Sequence, residues 1–184
     1  MPLTQLDPAM ALVVIDMQKG IVALPLAHPI QPVIDNVAAL TKAFRARGLP
    51  VILVNVTGRA PGRTEASFNF SPPSDWAELI PELEQQASDF TVTKMNVGAF
   101  YGTALERILR RDGITQVMLA GIATGSGVEA TARQAYDQGY NVVLVTDAMT
   151  DLDLESHRHA VEKVFPRIGE RTTTAELVDR LKQG

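Results

Sequence analysis

A chain of 184 residues is long enough to bury one sizeable core and short for two, since domains typically run roughly 100–200 residues; residues 1–184 are therefore read as a single domain. Hydrophobic residues at 46% and charged residues at 21% are an ordinary globular balance, with no biased tract pointing to disorder or fibre. The formal net charge of -4 argues against a general attraction to nucleic acid or anionic membranes, and the absence of cysteine excludes disulfides, thiolate metal sites and thiol nucleophiles together.

The first eleven residues lack a basic segment followed by a long apolar run, and no stretch approaches the ~18 uninterrupted apolar residues of a membrane span. A cytoplasmic protein is expected. The first element is a short apolar run at 11–15, rich in Val and Ile. A helical pattern follows, in which Val33, Val37, Leu40 and Phe44 recur at three- and four-residue spacing until Gly48 and Pro50 stop it. A second apolar run occupies 51–56. The piece from 58 to 89 carries Gly, Pro and Phe without periodicity and reads as a lid-like excursion with one short helix near 75–83. A weaker strand is expected at 90–93, then a helix over 103–111, a strand at 116–120 and a helix over 128–138. A strand at 141–145 and a helix over 154–164 come next, then a weak strand at 167–169 and a last helix over 174–182.

The four strong runs read as strands buried on both faces of a parallel sheet. Their alternation with helices predicts an α/β fold of three layers, a Rossmann-like, mostly parallel sheet of about six strands with helices on both faces.

Asp16 ends the first run in Val-Ile-Asp-Met-Gln, which places a carboxylate at the strand edge where ligands bind in such sheets. A cap on a turn at 18–21 explains the same position equally well. Lys94 ends Val-Thr-Lys and would leave the sheet at the same edge, either beside that carboxylate or as a solvated surface cation. The segment Gly121-Ile-Ala-Thr-Gly-Ser-Gly127 joins a strand to a helix. Its small residues would let backbone N–H groups face an anionic ligand or an oxyanion. Its glycine spacing is neither that of a dinucleotide loop nor of a phosphate-binding loop. Ser126 also starts a Ser-x-x-Glu capping box with Glu129.

Several linked motifs in order make the chain resemble the isochorismatase-like, or cysteine hydrolase, superfamily: Val-Val-Ile-Asp-Met-Gln, Val-Thr-Lys with Ala-Phe-Tyr-Gly-Thr downstream, Leu-Ala-Gly-Ile-Ala-Thr, Val-Glu-Ala-Thr-Ala-Arg and Val-Thr-Asp-Ala. The resemblance implies a three-residue site of Asp, Lys and Cys. Asp16 and Lys94 match the first two positions, and Gly127 stands at the third. It also implies a cis peptide at Ile122–Ala123, with Ile122, Ala123, Thr124 and Ser126 forming the oxyanion loop.

No acyl-enzyme can form on glycine, which puts the thioester route of the amidase branch in doubt. Isochorismatases need no such cysteine, and on that likeness Asp16 would be a general acid on a vinyl ether, with Lys94 steadying charge. The alternatives are a catalytically silent small-molecule-binding member of the fold and a serine-dependent amidase using Ser126. Candidates for substrate binding are Gln18, Arg59, Arg63, Trp76, Phe100 and Tyr101, with core or interface packing as the competing role for the aromatic residues. The zinc-binding motif of metal-dependent members is replaced by Asn-Val-Thr-Gly-Arg, and His28, His157 and His159 read as scattered and solvated, so no zinc or other cofactor is expected. The resemblance further implies a homo-oligomer.

Overall fold

The computed structural model describes residues 3–65 and 72–183. Six strands form one fully parallel sheet: β1 (Met10–Ile15), β2 (Val51–Val56), β3 (Phe90–Lys94), β4 (Gln116–Ile122), β5 (Asn141–Thr150) and β6 (Glu170–Thr172), in the order β3-β2-β1-β4-β5-β6. The chain builds outward from β1 to one edge, then returns to lay β4 on the other side of β1. The sheet's direction of growth thus reverses between β1 and β4, and their carboxyl ends flank the crevice that an open α/β sheet offers to ligands.

Every residue of β1 is buried, and successive side chains serve opposite faces. Ala11, Val13 and Ile15 join one core with residues of α3 (Leu105–Arg111) and α4 (Glu129–Asp137). Leu12 and Val14 join another with α2 (Ile30–Ala46) and α6 (Thr174–Gln183). This is why the strand reads as an unbroken apolar run. Two further helices are short: α1 (Lys19–Val22) and α5 (Leu154–His159), the latter capped by Asp153, whose side chain accepts from the Ser156 N–H. The three-layer α/β reading is the architecture found.

Strand details differ from expectation where local chemistry overrides pattern. β5 runs to Thr150, past the polar Thr146 and Asp147, because a register shift against β4 between Leu119 and Gly121 lets pairing resume at Gly121–Met149 and Ile122–Thr150. The strand expected at 167–169 forms instead at Glu170–Thr172, since Pro166 sits in a 3-10 turn at Phe165–Arg167. The helix expected over 75–83 does not form. Pro81 holds Ile80 extended, at φ -67 and ψ 143, and only a 3-10 turn, Pro81–Leu83, follows. This part of the excursion is anchored rather than lid-like: Lys19 and Gly20 donate backbone hydrogen bonds to Glu78 and Trp76, and Ile80 donates to Met17.

Gly121 is the tightest contact between the two central strands. Its φ is +115, and a Cβ there would lie 2.0 Å from the Ile15 carbonyl oxygen. Gly121→Ala should therefore lower stability by at least about 3 kcal/mol, seen as an earlier urea midpoint; an unchanged midpoint would show that the two strands can separate at no cost.

Candidate active site

β1 delivers its carboxylate through an unusual backbone turn. Asp16 has φ 51, a left-handed conformation that Asp tolerates better than most residues. Its N–H still bonds the Val54 carbonyl of β2 at 2.9 Å. The side chain caps no turn: α1 begins after Gln18 without a side-chain cap. Instead Asp16 Oδ2 meets Lys94 Nζ at 2.8 Å, with side-chain exposures of 8% and 3%. Lys94 pairs with Val56 in the sheet, so its side chain crosses over β2 to reach β1, a span of two interstrand spacings, roughly 10 Å at Cα. Its ammonium also donates to the carbonyls of Asn96 at 3.3 Å and Val97 at 3.1 Å. All three ammonium donors therefore have partners within the protein.

The other oxygen of the carboxylate, Asp16 Oδ1, is buried and has no hydrogen-bond partner. Burial raises the Asp16 pKa to about 6, against the lowering effect of Lys94. The carboxyl of Asp16 thus holds its proton to a higher pH than an exposed aspartate would.

The third component is the loop after β4. The Ile122–Ala123 peptide is cis, and the following turn, Thr124–Val128, is a π turn running directly into α4. Helical geometry begins at Thr124, ahead of the expected start near 128, so the Ser126 capping box does not form and Ser126 stays exposed. A Cβ added at Gly127 would lie 3.4 Å from Asp16 Oδ2 and 3.1 Å from Ile15 Cγ2. The space beside the carboxylate is where a side chain at position 127 would start.

These parts border one cavity of about 300 Å³ at the carboxyl edge of the sheet. Asp16, Lys94, Ile122, Ala123, Ser126 and Gly127 line it, as does Arg59. Met95, Val97 and Leu152, each more than half exposed, form an apolar rim. Asp151 and Asn96 add polar groups that sequence reasoning missed. Asp151 was hidden because β5 seemed to end five residues earlier, and Asn96 carried no signal beyond its closeness to Lys94. A second hollow of about 270 Å³ at the opposite edge includes Asp7, Gln116 and Asn141, whose side chains bond one another or nearby backbone.

The remaining candidates lie elsewhere. Gln18 is fully buried and ties β2 to the excursion, exchanging hydrogen bonds with the Val56 backbone and donating to the Trp76 carbonyl. Trp76 packs on α1, so close that a Cβ on Gly20 would fall 1.7 Å from its ring. Phe100 belongs to the core, its ring centroid 6.0 Å from that of Tyr140. Tyr101 is 74% exposed and Arg63 is exposed, and neither borders the cavity. Thr124 is buried beneath the loop, where its hydroxyl lies 2.8 Å from His157 Nδ1. His157 is not solvated as expected: its ring meets that of His28 edge-on with centroids 4.6 Å apart. Burial, followed by His28, lowers its pKa.

A parallel sheet of this order, with an acid–amine pair and a glycine-rich loop at its switch point, has the layout of a ligand site in an open α/β sheet. Residues 10–176 match the isochorismatase domain model. The isochorismatase family protein YwoC of Bacillus subtilis is 41% identical over 180 residues, covering 94% of each chain. A ureidoacrylate amidohydrolase, RutB of Yersinia enterocolitica, is 31% identical over 172 residues, covering 76% of this chain and 74% of its own. The structure of an isochorismatase family protein from Burkholderia thailandensis superimposes with a TM-score of 0.86 at 40% identity, covering 96% of this chain and 97% of its own. The chain belongs to the isochorismatase family of hydrolases. Among the described residues, no helix is long and apolar enough to cross a membrane.

Proposed function

We propose that this hydrolase cleaves a small vinyl ether of the isochorismate type without a covalent intermediate, with Asp16 as general acid. The observation that carries this reading is Asp16 itself: one oxygen is paired with Lys94 at 2.8 Å, the other is buried without a partner, and its pKa stands at about 6 beside the side-chain-free Gly127. Protonated Asp16 gives its proton to the vinyl carbon, leaving an oxocarbenium ion. Water adds to that cation and returns a proton to the carboxylate, and the hemiketal collapses to a carbonyl compound and an alcohol. Lys94 limits how far the carboxylate pKa rises, and the loop's backbone faces the reacting oxygen. Arg59 at the cavity wall suits a carboxylated substrate, while the apolar rim suits its hydrocarbon part.

A second reading is favoured by Ser126, which lines the cavity, stays exposed and caps nothing, and by the amidohydrolase relative. Serine-dependent amide hydrolysis through an acyl-Ser126 intermediate would then replace acid catalysis. The two part on one experiment, in which isochorismate and a ureido amide are offered to the wild type and to Ser126→Ala. Isochorismate turnover that survives in Ser126→Ala within about threefold, with no acyl adduct by mass spectrometry, is the expected result. Amide turnover abolished by Ser126→Ala would reverse the assignment.

A further inference from the structure

The loop that carries Gly127 is braced from behind by the residues that follow β5. Asp151 is 6% exposed and borders the cavity. Its Oδ2 accepts the Gly125 N–H at 2.6 Å, and its Oδ1 accepts the Leu152 N–H at 2.7 Å. Its carbonyl accepts the Ala27 N–H at 2.7 Å, so its backbone is fixed as well. Contact between brace and loop is close: a Cβ on Gly125 would lie 3.3 Å from Asp151 Oδ2 and 3.2 Å from the Ser156 carbonyl oxygen. One residue earlier, Thr124 Oγ1 lies 2.8 Å from His157 Nδ1.

We propose that Asp151 is a positioning residue for the reaction, holding the Gly125–Gly127 segment through the Gly125 amide so that Gly127 stays beside the Asp16 carboxylate. The role rests on the reading of Asp16 as the acid, but the brace itself is a property of the loop. Hydrogen bonds to a charged acceptor are the stronger ones, and a catalytic loop displaced by about 1 Å loses on the order of 100-fold in rate. Asp151 is not placed to exchange protons with substrate in this scheme, because each of its oxygens already accepts a backbone N–H.

Two variants and two measurements test this. Amide hydrogen exchange at Gly125, Ser126 and Gly127, which needs no substrate, should speed up at least about tenfold in Asp151→Ala and return part of the way toward wild type in Asp151→Asn, whose side-chain oxygen still accepts the Gly125 N–H although its amide nitrogen no longer accepts the Leu152 N–H. With isochorismate, Asp151→Ala should lower kcat by about 10- to 100-fold at nearly constant KM, Asp151→Asn should recover most of it, and the pH limb near 6 should stay in place in both. Exchange rates that do not change in Asp151→Ala overturn the brace. Equal loss of kcat in both variants, or a displaced pH limb, overturns the positioning role through the Gly125 amide. If Asp16→Asn keeps full turnover while Asp151→Ala still frees the loop amides, the acid assignment fails and the brace stands.

Discussion

Asp16→Asn is expected to lower kcat/KM on isochorismate by about 10²–10⁴-fold, the usual contribution of a positioned proton donor. Asparagine keeps the size of the side chain and an oxygen for Lys94 Nζ at the 2.8 Å contact, so the variant removes the proton and the negative charge while leaving the shape of the site in place. The wild type should show its activity falling as pH rises through about 6, where the carboxylate gives up its proton. A rate that holds level from pH 5 to 8, or a variant as active as the parent, would remove Asp16 from the role of acid.

Lys94→Met has a comparably large effect through a different route. The ammonium offsets burial at Asp16 by favouring the charged carboxylate, so its removal should carry the alkaline limb to higher pH. Stability should respond in the same sense. With the folded pKa raised from 3.8 to about 6, the stability linked to Asp16 is fully present below about 4 and is lost as pH rises through about 6. At 1.36 kcal/mol per unit this amounts to about 3 kcal/mol. Without Lys94 that loss deepens and extends to higher pH, since an unpaired buried carboxylate costs about 3–5 kcal/mol once ionised. Denaturant melts at pH 5 and pH 8 should therefore diverge more for Lys94→Met than for wild type; parallel melts would show that the pair is not coupled.

The architecture was legible because strands buried on both faces leave unbroken apolar runs, and because Asp16 directly follows one of them, while Lys94 ends the weaker β3, whose residues alternate between buried and exposed. What escaped the sequence escaped for local reasons. Thr146 and Asp147 read as the end of β5, yet Asp147 turns its carboxylate to the Thr174 N–H and hydroxyl at the start of α6 while the strand continues, and Asp151 was lost with that continuation. Phe100 stays open between ligand contact and packing in the sequence because an aromatic residue beside a motif looks the same whether it points to a cavity or a core. The contact of His28 with His157 joins residues 129 positions apart, a proximity no spacing rule reports.

Among the described residues, β3 lies at the margin of the sheet with β2 as its one neighbour. Because side chains alternate along a strand, a slip of one residue would swing Lys94 to the far face and leave Asp16 without its counter-charge. What guards against the slip stands at the other end of the strand: Asp89, just before it, takes two hydrogen bonds from the Arg45 guanidinium of α2, at 2.7 and 3.0 Å. The acidity of the crevice is in this way anchored at the opposite pole of the molecule, by a contact that never meets a substrate.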